Sequence, residues 1–484
     1  MSPELAIALV AGYFIILIVV SLITSRGADN QTFFIGNRKS KWYLVAIGMI
    51  GASLSGVTFI SVPGDVLLKS FTYMQVVLGY LLGYLVIIYV LLPVYYKLNL
   101  TSIYTYLGKR YGNISYKTGA SFFLLSRVLG ASFRLFLVAN VLQLVIFEKL
   151  SVPFFVTVLI TLSLIYVYTF RGGIKTIVWT DTLQTVFMLT AVVATLVVLL
   201  SKMDLSLIEG VRKISESGHG RIFDFSGWKS ETFFVKHFLS GMFITIVMTG
   251  LDQDMMQKNL SCRNLKDAQK NMITYSLAFV PVNLIFMALG ALLYIFVQQN
   301  GIALPEQPDN LYPLIATQGY LPLSIGIFFI LGLIAAAYSS ADSALTALTT
   351  SFLIDIVGIE KYTEPEIKKR RILTHLAISL LLAVVIIVFK QVQNTNVINS
   401  LLKVAGFTYG PLLGLYAFGL YTKRTVNEKA VPFISVVSIV LVIILNKYSE
   451  QILFGYKMGF EVLIWNGLFT ILGLLFFSGS KKPD

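Results

Sequence analysis

The chain has 484 residues and a formal net charge of +14, yet only 13% of its residues are charged and 56% are hydrophobic. An ordinary soluble domain carries about 25% charged residues, so this composition excludes one and defines an integral membrane protein. A single cysteine, Cys262, excludes an internal disulfide and a cysteine-built metal cluster, and three histidines argue against a histidine-built one.

Continuous apolar runs of about 20 residues are long enough to cross a bilayer as helices, and they do not fit the alternating pattern of barrel strands. In chain order they predict an all-α membrane bundle of thirteen spans, near 4–24, 43–68, 72–96, 118–147, 152–170, 176–201, 237–257, 272–298, 322–357, 372–389, 396–421, 430–446 and 460–477. The first lacks a basic start and a small-residue cleavage site, so it is read as a span and not as a cleaved signal. An outside N-terminus puts 24 Lys and Arg in cytoplasmic connections and 11 in outer ones, which is the positive-inside rule. The charge is therefore topological, and no nucleic-acid motif accompanies it. The expected setting is the plasma (inner) membrane, with the C-terminus cytoplasmic and no obligate protein partner. The whole chain reads as one transmembrane domain.

The second span reads IGMIGASLSGVTFISVPG, with Gly51, Ser53, Ser55, Thr58 and Pro63 in an otherwise apolar run. The seventh, GMFITIVMTGLDQDMMQ, carries Thr245, Gly250 and two acids toward its inner end. Interrupted spans at corresponding positions of two halves point to an inverted-repeat transporter with its site at the midplane. The repeats would cover about 43–201 and 237–421, flanked by helices 4–24, 430–446 and 460–477. Unwound carbonyls near Gly51 and Leu54 could coordinate a cation, and half-helix N-termini attract anionic groups.

Other polar groups sit along the spans. Tyr73 and Gln75 on the third, Arg127 and Arg134 on the fourth and Thr245 on the seventh are candidate pocket groups. Lys403 on the eleventh is a candidate gate or ion-pair partner, and Gly79 and Gly83 read as a packing face. Asp181 lies near the start of the sixth span, as an interfacial cap or half of a cation cage. The outer segment 202–236 holds an amphipathic stretch, 205–214, expected to lie on the surface. The ninth span reads AAAYSSADSALTALTTS, and Asp342 is an ionisable group at membrane depth, which marks an ion or substrate path. At 100° per residue, Ser339, Asp342, Ser343 and Thr346 share one face. These are hard oxygen ligands, suited to a small hard cation and not to a soft transition metal. No nucleophile–histidine–acid set, phosphate loop or metal-ligand spacing argues for an enzyme.

At these residues the chain resembles the sodium–solute symporter family, over about Phe33 to Thr425. The resemblance runs through FFIGNRKSKWYLVAIGMIGASLSGVTFISVPG, GGIKTIVWTD with Gln184, DQDMMQKNLSCRNLKDAQK, AAAYSSADSALT and GLYTKRT. It implies a leucine-transporter-type fold of five-plus-five inverted repeats, sodium as coupling ion and a small polar solute as cargo. The implied principal sodium site uses the carbonyls of Gly51, Leu54 and Ala336 with the hydroxyls of Ser339 and Ser340. A second sodium, held in some members by an acid matching Asp181, would fall on Ser339, Asp342 and Ser343, where Asp342 replaces a serine and could couple a proton instead. Ser53, Ser55 and Thr58 match positions that hold the carboxylate of an acidic sugar in one branch, and Arg134 is compatible with an anionic substrate. The expectation is a sodium-coupled symporter of a sugar, an acidic sugar such as sialic acid, or a carboxylate. The alternatives are a nutrient sensor on the same fold, or a proton-coupled carrier through Asp342.

Overall fold

GASLSG cannot sustain a straight span, because glycine carries extra backbone freedom and serine offers the backbone competing hydrogen bonds. In the computed structural model, which describes residues 3–25, 30–392 and 397–479, the helix Trp42–Ser53 stops there and Gly56–Lys69 restarts. Leu54 donates its N–H to the Ile50 carbonyl at ψ 58°, and Ser55 is extended at ψ 178°. The break thus falls on Leu54 and Ser55. Gly51 stays helical and serves packing, since a Cβ there would run into the Thr185 hydroxyl. Irregular backbone at membrane depth persists only inside protein or beside a cavity, and every residue from 48 to 66 except Ser53 is buried.

The predicted seventh span breaks as well. Phe234–Thr245 widens into a π turn, Ile246–Gly250, and then bends by 63° into the short helix Gln253–Leu260. Asp252 caps that helix by accepting the N–H groups of Asp254 and Met255, which satisfies donors left free at a helix start. All eight of its residues are buried although five are polar or charged. The predicted span, 237–257, stops one residue short of Lys258 and would leave that lysine in a connecting loop. The helix instead folds inward and carries Lys258 with it.

The predicted fifth and sixth spans form one helical path, Phe154–Lys202, bent at Gly173, whose φ of 53° is open to glycine. Leu323–Ser351, the ninth span, is packed along it, and Trp42–Ser53 lies against the same path. Those three elements surround the polar cluster described below. Among the described residues nine helices are long and apolar enough to cross a membrane, or ten with the bent pair. Trp42–Ser53, Phe154–Thr169 and Val462–Phe476 are shorter apolar helices.

Outside the bundle, Leu207–Glu216 begins with a reciprocal cap between Ser206 and Glu209. Its Leu207, Ile208 and Val211 are exposed, an apolar edge suited to a bilayer surface. The rest of the outer segment is pinned by Gln75. Its amide donates to the Thr232 and Thr72 carbonyls at 3.0 and 3.2 Å and accepts the Asp224 N–H at 3.1 Å. Burial would raise the Asp224 carboxyl, but hydrogen bonds from Thr232, Ser226 and Ser230 outweigh it and hold it below the ordinary carboxylate value. A carboxyl depressed in the folded state adds stability above its unfolded value, near about 3.9, and loses it as pH falls through the folded value. The segment is therefore expected to resist limited proteolysis at neutral pH and to open only in strong acid. Asp224→Asn should be cleaved within it at neutral pH, and unchanged protection in that variant would count against the pin.

Candidate ion and solute site

Helix breaks release carbonyls. The Ala52 carbonyl, flanked by the buried Gly51 and Leu54, faces the ninth-span helix, where the Ser340 hydroxyl lies 3.5 Å from it and 3.4 Å from the Ala336 carbonyl. Hydrogen bonds of that length are weak, so these oxygens are poorly satisfied by one another. One residue before Ser340, Ser339 donates to Asp181 Oδ1 at 2.6 Å. Asp342 has both oxygens engaged: Oδ1 accepts the Ser343 N–H at 2.6 Å, and Oδ2 accepts the Tyr168 hydroxyl at 3.0 Å. The hydroxyl of Thr346 is buried without a hydrogen-bond partner, and that of Ser343 faces Asp181. Buried polar atoms are ordinarily paired. A cluster of carbonyls, hydroxyls and carboxylates with an orphan among them suits a hard monovalent cation, and no group of three or more His, Cys, Asp or Glu among the described residues could hold a metal.

A cation of the protein's own is already present. Lys258 Nζ lies 2.8 Å from Asp181 Oδ2 and 3.9 Å from Asp254 Oδ1, with the side chains of Lys258, Asp181 and Asp254 at most 2% exposed. Asp254 is in turn ion-paired with Arg127, which also lies 3.6 Å from Asp252. Asp252 accepts the Tyr409 hydroxyl at 2.5 Å. The short helix Gln253–Leu260 thus connects the ion cluster to Arg127.

Arg127 also forms part of the lining of an interior cavity of about 90 Å³ beside the break. Of the predicted pocket groups, Ser53, Ser55, Thr58, Tyr73, Thr245 and Arg134 line it. Ser55 stands at the start of Gly56–Lys69 without a side-chain cap bond, so free N–H groups and a positive helix end are directed at this region. Arg134 has no carboxylate within 4 Å among the described residues, and its Nε is buried without a partner. Two of the candidate residues lie away from the cavity. Gln75 is absent from the lining because its amide is consumed by the outer segment. Lys403 is exposed and lies outside the cavity lining.

Sequence reasoning passed over the aromatic wall. Tyr80, Tyr84 and Tyr275 line the cavity, the Ser53 hydroxyl is 2.6 Å from that of Tyr275, and Tyr84 donates to Tyr275 at 2.8 Å. The signal was available: Tyr73, Tyr80 and Tyr84 stand seven and four apart, one face of a helix.

A helical membrane bundle enclosing a polar cavity beside a buried oxygen cluster defines an ion-coupled carrier. The chain belongs to the sodium:solute symporter family, whose model matches residues 33–451. It is 25% identical to the sodium/sialic acid symporter SiaT of Proteus mirabilis, over 93% of this chain and 91% of that one. It is 26% identical to the sodium/sialic acid symporter NanT of Aliivibrio fischeri, over 89% and 85%, and 24% identical to the human sodium/iodide cotransporter, over 82% and 62%. Its fold matches that of a sodium-coupled sialic acid symporter in a substrate-bound, outward-open state, with a TM-score of 0.82 at 20% identity over 98% and 99% of the two chains. Mhp1, a nucleobase-cation-symport-1 family transporter in a closed conformation, matches with a TM-score of 0.55 at 16% identity over 92% and 94%. The fold is the leucine-transporter type of five-plus-five inverted repeats, and the chain is a sodium-coupled solute symporter, not an enzyme.

Proposed function

We propose that the cargo is a small polar solute bearing a carboxylate, an acidic sugar being the class the relatives favour. The observation that carries this reading is Arg134: a guanidinium at the cavity wall with no acid beside it. An uncompensated buried charge is costly, and an incoming carboxylate relieves it through bidentate, charge-assisted hydrogen bonds. The hydroxyls of Ser53, Ser55 and Thr58 and the start of Gly56–Lys69 supply further donors for the same anion, with Tyr73 and Thr245 at the rim.

Sodium is assigned to the carbonyls of the Gly51–Leu54 turn and of Ala336, with the hydroxyls of Ser339 and Ser340. Ser339 can donate to Asp181 while its lone pairs face the ion. An ion there bridges the broken second span and the ninth, so it orders the end of Trp42–Ser53 that borders the solute. A ligand shifts a conformational equilibrium only through its differential affinity for the states, and this ion gains its ligands only when the two elements are together. The cavity, at about 90 Å³, is well below the roughly 300–1,000 Å³ of ordinary small-molecule pockets. Loading therefore needs an opening. The start of Val397–Tyr421 lines the cavity through Ile398, Leu401 and Leu402, and Asn399 is tied to Asp65 and Lys69, each at 3.1 Å. We assign the outer gate to that tie, with repeats at about 43–201 and 237–421 rocking against each other in the plasma membrane, N-terminus outside.

The test is ligand-dependent melting of the purified carrier with and without sodium, across neutral sugars, acidic sugars, amino acids and carboxylates. At a hundred-fold excess over Kd a ligand adds about 2.7 kcal/mol. Stabilisation is expected only from carboxylated ligands and only with sodium. Equal stabilisation by a neutral sugar and its acidic counterpart would overturn the anionic reading.

A further inference from the structure

A second cation position, at Asp181 with Asp342 and Ser343, is the natural place to look for more coupling ions, and the structure shows what stands there. Lys258 Nζ is 2.8 Å from Asp181 Oδ2, both side chains are no more than 1% exposed, and Asp342 lies within electrostatic reach of both. We propose that Lys258 is a tethered cation that fills the second ion position, so that the carrier binds one sodium per chain. The inference rests on the sodium site assigned to Ser340 and Ala52, and it concerns only how many ions accompany that one.

Charge and geometry carry it. Asp181 brings a carboxylate into a fully buried site, where the ammonium of Lys258 stands 2.8 Å from its Oδ2, while both oxygens of Asp342 are already engaged by Tyr168 and Ser343. The ammonium cannot drift away. It sits on Gln253–Leu260, every residue of which is buried, and the start of that helix is fixed by the Asp252 cap. A sodium ion approaching Asp181 must displace it and leave a buried ammonium with only Asp254, already paired to Arg127. Expelling one partner from a buried pair is strongly unfavourable, so dissolved sodium competes poorly with a cation held by the chain. The oxygens that could receive an ion in its place border the same site across two helices: the carboxylate of Asp181 on one, and the hydroxyl of Ser343 with the carboxylate of Asp342 on the other.

The consequence is electrical. One sodium moving with one monovalent carboxylate carries no net charge. Removing the ammonium and admitting a second sodium makes each cycle carry one positive charge, worth about fifty-fold in accumulation across 100 mV.

The experiment counts bound ²²Na⁺ at saturation on the purified full chain in lipid nanodiscs. One ion is expected per wild-type chain and two for Lys258→Met, with Lys258→Arg remaining at one. In proteoliposomes, uptake by Lys258→Met should become responsive to an imposed potassium diffusion potential that leaves wild-type uptake unchanged. Two ions on the wild-type chain, or one on a folded Lys258→Met, would overturn the inference. Should Lys258→Met fail to fold, Asp181→Asn decides: a count still at one supports the tethered cation, and a count below the wild-type value overturns it. No bound sodium on the wild-type chain would instead remove the Ser340 site on which this inference depends.

Discussion

Ser340→Ala is expected to abolish sodium-stimulated uptake at ordinary sodium concentrations while leaving membrane insertion intact. The substitution removes the hydroxyl that stands between the Ala52 and Ala336 carbonyls, at 3.5 and 3.4 Å. A hydrogen-bonding group lost from a charged partner costs about 2 kcal/mol, or roughly thirty-fold in sodium affinity. Alanine also strands no well-bonded acceptor, because both carbonyls accept the Ser340 hydroxyl only at 3.5 and 3.4 Å, so folding should survive. Ser339→Ala should weaken sodium too, with an added loss of stability because Asp181 Oδ1 then loses its 2.6 Å donor. The measurement is initial uptake against external sodium in proteoliposomes. Unchanged sodium dependence in both variants refutes the assignment.

The second large effect separates two arginines one heptad apart. Arg134→Ala should raise the concentration of solute needed for half-maximal uptake by at least about thirty-fold, since truncating one member of a buried charge pair costs about 2–5 kcal/mol. Its melting temperature in the absence of solute should hold, because no carboxylate lies within 4 Å of Arg134 among the described residues. Arg134→Lys should recover only part of the affinity, as a point charge cannot grip a carboxylate in two places. Arg127→Ala should behave in the opposite way. It strands Asp252 and Asp254, both at most 2% exposed, and breaking such a pair costs about 3–5 kcal/mol. Loss of folded protein is therefore the expected readout there. Small, equal effects of both substitutions on solute affinity would remove arginine from the recognition of cargo.

Much of this was legible in the chain because membrane burial makes polar residues conspicuous. Asp342 announced itself as a carboxylate inside an apolar run, and the break was written in GASLSG, displaced by only a residue or so from where glycine alone would put it. Lys258 was not legible. Gln253–Leu260 is as polar as a connecting loop, and averaging hydropathy along the chain cannot reveal a polar helix folded back into the bundle, where Lys258 meets Asp181 from 77 positions away. Gln75 misled for the converse reason. Its place on the third span suggested a pocket, but an amide goes wherever unpaired carbonyls wait, and those belonged to the outer segment. The tyrosine wall was hidden by abundance: with 25 tyrosines in the chain, the 73–80–84 stripe did not stand out.

The smallness of the chamber bears on how such a carrier can be blocked. A compound made of a carboxylate head and a bulky tail could seat its head at Arg134 only while Asn399 is parted from Asp65 and Lys69. With the tail lodged in that gap, the gate has no room to return. Such a molecule acts as a doorstop, holding the carrier open to the outside, and the length of tail needed to jam it measures how far the gate swings.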